Sequence, residues 1–171
     1  MYTLENVKNN CENKDYILEA VKENGLLLEG ASENLRGSKE VVMRAVEADG
    51  GALEFASNKL KNDKDILLKA IETKAWVVCY ASEKLKADKD IILKAVKNDG
   101  QALYYASKEL RDDYDVVLAA VKNKGLILKY ASKRLRGDKT IVIEAIKQDK
   151  RAFDFIVEEL RKDGEILSLI K

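Results

Sequence analysis

Proline and histidine are both absent from this chain, cysteine occurs twice and tryptophan once. Without proline, no helix interior suffers the missing N–H and ring clash that break helices. Without histidine, the commonest general base and proton shuttle at neutral pH is lacking. Cys11 and Cys79 lie far apart and match no metal-ligand spacing, so they are expected as free thiols in a reducing compartment. No stretch approaches the roughly 18 apolar residues of a membrane helix. Met1 to Cys11, with Glu5, Lys8 and several asparagines, lacks the apolar stretch of a secretory signal. These absences point to a cytoplasmic or otherwise intracellular protein without cofactor, metal or membrane partner, translocation into a host cell staying open.

What is present is charge on an ordinary apolar background. Of 171 residues, 46% are apolar and 36% charged, the latter well above the usual quarter. Helices with solvated charged faces follow. Net charge is only +1, so no global field favours nucleic acid or membranes. Dividing the chain after Leu85 gives 12 basic and 15 acidic residues before it and 19 basic and 15 acidic after it, or −3 against +4.

Self-similarity organises everything else. Ala-Ser recurs at Ala31-Ser32, Ala56-Ser57, Ala81-Ser82, Ala106-Ser107 and Ala131-Ser132, always at a step of 25. The same step carries Leu35 to Leu160, Ala45 to Ala145, and the column Ser38, Asp63, Asp88, Asp113, Asp138 and Asp163. Gly25, Gly50, Gly100 and Gly125 form another column, interrupted by Ala75 and Lys150. A fixed period of this length signals a repeat architecture.

The third unit shows the physics. Asp63 is a preferred N-cap, and Asp65 places negative charge in the first turn, toward the positive end of the helix dipole. Ile66, Leu67, Ala70 and Ile71 follow at helical spacing and give a broad apolar face. Pairs such as Asn24-Gly25 or Asp49-Gly50 close the first helix, with glycine expected in the left-handed conformation. A second helix is expected from about Trp76 to Lys86, burying Val77, Val78, Ala81 and Leu85. Helices of about eleven residues are marginal alone, so the units must stack.

The expected fold is an all-α solenoid of about six two-helix repeats. Residues 1–12 form an N-terminal cap, in which Leu4, Val7 and Cys11 share helical spacing; residues 13–162 hold the repeats, and 163–171 a C-terminal half-repeat. The pattern from Asp88 to Leu110, with its aspartate cap, Ala-Val, glycine, Ala-Leu and Tyr-Ala-Ser, resembles the repeat family known as domain of unknown function 4116. The resemblance implies a helical repeat protein and no enzymatic activity.

Little here carries catalysis. Each glycine stands as a helix stop, none as a phosphate loop. The serine column reads as packing, a mid-helix serine back-bonding one turn earlier. The aromatic column Phe55, Tyr80, Tyr105, Tyr130 and Phe155 reads as a buried ladder, or as a platform for bases. The basic column Arg36, Lys61, Lys86, Arg111, Arg136 and Arg161 reads as cations on helix C-termini, or as a track for phosphates.

Positions that fail to repeat are where a scaffold distinguishes partners. At i, i+3 and i+7 of the second helix they run Leu26, Glu29, Glu33; Gly51, Glu54, Asn58; Trp76, Cys79, Glu83; Gln101, Tyr104, Lys108; Leu126, Lys129, Lys133; Arg151, Asp154, Glu158. The face is acidic early, aromatic in the middle and basic next. Trp76, Cys79, Glu83, Gln101, Tyr104, Lys108, Lys129 and Lys133 are the candidate partner-binding residues, since tryptophan and tyrosine ringed by polar groups typify interface hot spots. The function expected is a monomeric, non-enzymatic scaffold holding a peptide or helix. The alternatives are nucleic-acid binding along the basic column, a spacer or targeting module, and a merely solvated face.

Overall fold

The capping column opens a series of ten-residue α-helices. In the computed structural model, which describes residues 1–171, these run Lys14–Glu23, Lys39–Ala48, Lys64–Thr73, Lys89–Asn98, Tyr114–Asn123 and Lys139–Gln148. The caps are explicit: Asp63 Oδ1 accepts from the N–H groups of Asp65 and Ile66 at 3.1 and 3.2 Å, and Asp88 does the same for Asp90 and Ile91. Satisfying these orphan donors fixes where the aspartate-capped helices start, whereas Ser38 makes no side-chain cap bond. The fold is all-α with no strand, repeated in 25-residue units.

The second half of each unit departs from a continuous helix. In the third unit a six-residue 3-10 helix, Ala75–Tyr80, is followed by a break at Ala81-Ser82 and a single α-turn, Glu83–Lys86. Every unit has the same 3-10 piece, from Gly25–Gly30 to Lys150–Phe155. A 3-10 helix rarely runs further, because its hydrogen bonds are poorly aligned. The break has a second cause. Ala81 is extended, as is its equivalent in each repeat, which turns the next N–H out of the helical pattern and toward the preceding unit. Ser32 donates to the Cys11 carbonyl, Ser57 to Arg36, Ser107 to Lys86, Ser132 to Arg111 and Val157 to Arg136, at 2.9 to 3.2 Å. Ser82 donates instead to the Asn62 side chain at 2.8 Å. The serines therefore do not back-bond in mid-helix; they stand at the N-terminus of the short turn, where Ser132 Oγ accepts from Leu135 N–H.

Glycine is likewise used differently. No residue has positive φ, so no left-handed cap exists. The residue before each column glycine is extended, near φ −150°, and the glycine lies against the next unit. A methyl on Gly50 would sit 2.1 Å from the Ala70 carbonyl oxygen, and one on Gly125 2.2 Å from that of Ala145. The column is small because two backbones touch there. Lys150 is exposed in the same column, beside a following helix that runs only Gly164–Ile170.

Contacts divide the chain into two compact units, Met1–Leu85 and Lys86–Lys171. In the first, successive long helices pack side by side and the 3-10 pieces form a second row. Ile17, Val41, Val42, Ile66, Leu67 and Ile71 are fully buried between them. Helix Leu4–Asn9 lies against the first 3-10 piece, Val7 being 0% exposed. Gly30 occurs where later units carry a ring, because Val7 Cγ1 already lies 2.7 Å from where its Cβ would be. In the second unit the same two rows enclose Ile91, Ile92, Val116, Val117, Leu128 and Ile141. Each fully buried aliphatic side chain contributes on the order of 1.5–3 kcal/mol.

Lysines at the first helical position tie neighbouring units together. Lys39 Nζ reaches Asp63 and Asp65 of the next unit at 2.7 and 3.3 Å, and Lys89 reaches Asp113 and Asp115 at 2.8 and 2.9 Å. Lys139 does so with Asp163 and Glu165 at 2.9 and 3.0 Å. The recurring carboxylate pair is thus a cap plus an anchor for the preceding lysine. Where Tyr114 replaces that lysine, Thr140 replaces the second acid. The clamp is lost from both sides together.

Candidate interaction surface

Repeated positions are consumed by the fold. Two members of the basic column turn onto the next unit: Lys61 Nζ stands 5.5 Å over the Tyr80 ring, and Arg136 Nη1 donates to the Phe155 carbonyl at 3.2 Å. The Nε atoms of Arg36, Arg111 and Arg136 are covered and meet no acceptor. Lys61 and Arg136 therefore serve a ring and a carbonyl of the neighbouring repeat, whereas Arg161 turns to the Asp154 carbonyl and the Phe153 ring of its own. Aromatic residues of the Phe55 to Phe155 column are half-buried, not fully buried, because each ring lies at the outer edge of the 3-10 row.

Non-repeating positions project outward. The expected single helical face is instead shared by two pieces: Trp76 and Cys79 stand one turn apart on the 3-10 helix Ala75–Tyr80, whereas Glu83 begins the following α-turn. Trp76 is 41% and Tyr104 55% exposed, with Leu26 of the same columns at 42%. The first unit carries Trp76, half-buried Cys79 and exposed Glu83; the second carries exposed Gln101, Tyr104, Lys108, Lys129 and Lys133. Gly51 is the exception, buried beside Leu26 and Trp76, with Leu26 Cδ2 at 3.4 Å and Trp76 Cζ2 at 3.7 Å from where a Cβ would be. A larger residue there would push into that apolar pair.

Within the second unit, Tyr104 joins two repeats. Its ring centroid lies 5.1 Å from Tyr105 and 5.0 Å from Tyr130, both edge-to-face. Lys129 Nζ sits 4.8 Å over the Tyr130 ring. Beside this cluster Asp112 accepts from the Ser132 hydroxyl and from Arg134 Nε. The serine hydrogen bond, and then the guanidinium, hold its carboxyl below the usual carboxylate range.

Sequence pattern did not single out one exposed feature. The long helices carry half-buried Leu18, Met43 and Leu68 in the first unit and Leu93, Leu118 and Ile143 in the second. A shallow hollow of about 400 Å³ lies over Leu18 and Met43, rimmed by Glu19, Lys22, Glu40, Arg44 and Glu47. The signal was a repeated apolar column beyond the core face. No group of three histidine, cysteine, aspartate or glutamate side chains is placed to hold a metal ion, and no helix is long and apolar enough to cross a membrane.

A family model described as a domain of unknown function (DUF4116) matches the chain in five overlapping windows, residues 13–61, 38–86, 63–111, 88–136 and 113–161. Successive windows advance by one 25-residue unit. No curated protein and no solved structure matches the chain.

Proposed function

The chain belongs to the DUF4116 family, and from that premise we propose that it is a non-enzymatic repeat scaffold whose non-repeating positions bind another protein. The observation that carries this reading is the sorting of exposed apolar surface. Of the five large apolar residues left exposed, Leu26, Trp76 and Tyr104 occupy the columns that change from unit to unit. Repeated apolar columns are buried or half-buried, and repeated polar ones cap helices or bridge units. Exposed tryptophan and tyrosine among charged neighbours supply contact area at small entropic cost.

Each unit offers its own second-half pieces to a peptide or helix of the partner, around Trp76, Cys79 and Glu83 in the first and around Tyr104 in the second. The protein acts as a monomer inside a cell. Catalysis has no support in a chain without histidine whose column aspartates are engaged in capping. The basic column is a poorer candidate for nucleic acid, since Lys61, Arg136 and Arg161 are drawn onto rings and carbonyls of the fold.

Co-purification with mass spectrometry, comparing the natural chain with Trp76→Ala/Tyr104→Ala, tests the reading. The double variant should lose the specifically retained protein while keeping its helical circular dichroism spectrum. Retention of the same protein at the same level would refute it.

A further inference from the structure

We infer that the second unit's share of this surface takes an acidic segment of the partner protein; the inference rests on the reading of the non-repeating positions as a recognition surface. In the two repeats beginning at Gly100 and Gly125 these positions are Gln101, Tyr104, Lys108, Leu126, Lys129 and Lys133, three cations and no carboxylate. The first unit has Glu29, Glu33, Glu54 and Glu83 in the same columns and no cation. A cationic surface is therefore a property of these two repeats and not of the repeat as such.

The local acids do not neutralise it. Lys108, Lys129 and Lys133 form no ion pair, whereas Lys89, Arg134, Lys139, Lys147 and Arg151 each hold a carboxylate. Glu109, next to Lys108, is bound by its own backbone N–H and by the Ser107 side chain, and Asp112 by Ser132 and Arg134. The patch ends in the next repeat, where Arg151, Asp154 and Glu158 occupy the columns: Arg151 is held by Asp149 at 2.8 Å and Glu158 pairs with Arg161 at 3.2 Å.

Between the lysines lies an apolar contact. Tyr104, 55% exposed, is braced by Tyr105 and Tyr130 and so presents a fixed ring that spans two repeats. An acidic peptide gains from both parts: carboxylates set against three ammonium groups that hold no carboxylate of their own steer and register it, and one apolar side chain covers Tyr104. The geometry suits bases less well. The rings meet at 77° and 64°, and one face of Tyr130 is covered by Lys129. A single strand needs open faces on which successive bases can stack.

Fluorescence anisotropy of the full chain with a short labelled peptide of glutamates around a central phenylalanine tests this. Saturable binding should weaken as salt rises. It should fall about tenfold or more in Lys129→Glu/Lys133→Glu, a loss of the size expected when charge complementarity is reversed. Tyr104→Ala should also weaken it. Lys97→Glu/Lys122→Glu, on the long helices, should leave it within about twofold. No binding, or binding insensitive to Lys129 and Lys133, overturns the inference. So does tighter capture of labelled oligouridine through the same lysines, or a homo-oligomer in sedimentation that Lys129→Glu/Lys133→Glu dissolves. If the acidic peptide fails while Tyr104→Ala still costs partner capture, the inference falls and the scaffold reading stands. If Tyr104→Ala costs neither, both fall.

Discussion

Gly125 meets the Ala145 carbonyl so closely that a methyl group would overlap the oxygen at 2.2 Å, and neither backbone can retreat without opening the packing of two helices. Gly125→Ala should therefore destabilise the protein by about 2 kcal/mol, in the range of overpacked cores. Gly164 has nothing within 4 Å of a Cβ and is the first residue of a helix. Gly164→Ala should be neutral or stabilise by up to ~1 kcal/mol, chiefly by restricting the unfolded chain. Urea midpoints of the two variants decide the matter, and equal effects would contradict it. The sequence shows that the column must be small but not why. Asp-Gly reads equally as a left-handed cap and as a point of close approach, and only the next unit's carbonyl separates the two.

Among the elements, the capped helix and its lysine clamp set the dependence on pH. Burial raises the pKa of Asp63 and of Asp113, but the hydrogen bonds from Lys39 and Lys89 and from the backbone N–H groups of Ile66 and Val116 outweigh it, so both carboxyls lie below their ordinary value. Asp163 is held low first by Lys139. A depressed carboxylate contributes stability that is present above its unfolded pKa and lost as pH falls through the folded one. Lys39, Lys89 and Lys139 are raised, chiefly by their hydrogen bonds to those aspartates. Their contribution is complete below the ordinary lysine pKa and lost as pH rises through the raised one. Stability should thus be flat around neutrality and decline at both extremes, read as urea midpoint against pH. Asp113→Ala should cost about 1 kcal/mol for the cap alone and shrink the acid decline; a full decline in that variant would contradict the assignment. The long helices were legible because a cap residue and 3.6-residue spacing agree in each unit, and first-turn acid joins them in all but the helix Lys139–Gln148. The broken second half was not. Its apolar spacing suits a continuous helix, and the break at Ala-Ser answers to a bond with the preceding unit, such as Ser57 N–H to Arg36 carbonyl at 2.9 Å.

Across the whole molecule, positions sort into two kinds. Columns that repeat form cores, caps, clamps and bridges, including the arginines whose Nε atoms are covered. The charge of the chain also changes sign where it divides into two compact units, −3 for residues 1–85 and +4 for 86–171. A salt titration with labelled RNA and DNA should find no steeply salt-dependent affinity that requires Arg36, Arg111 or Arg136. Such a dependence would restore the phosphate track. The candidate surface was legible by elimination, as the columns that fail to repeat, and its acidic and basic stretches could be read directly. The bracing of Tyr104 by Tyr130 could not, since it joins residues 26 apart through a 3-10 geometry that the spacing alone did not specify. The most direct test compares Tyr104→Ala with Ile92→Ala, a change at an exposed non-repeating position against one at a fully buried core position. Thermal unfolding and partner capture measured on both should show Tyr104→Ala with stability lowered by no more than about 1 kcal/mol, the size of a ring pair, and lost capture, and Ile92→Ala destabilised by about 2–5 kcal/mol with capture intact wherever it remains folded. Tyr104→Ala that captures its partner normally would contradict the division of labour on which the account rests.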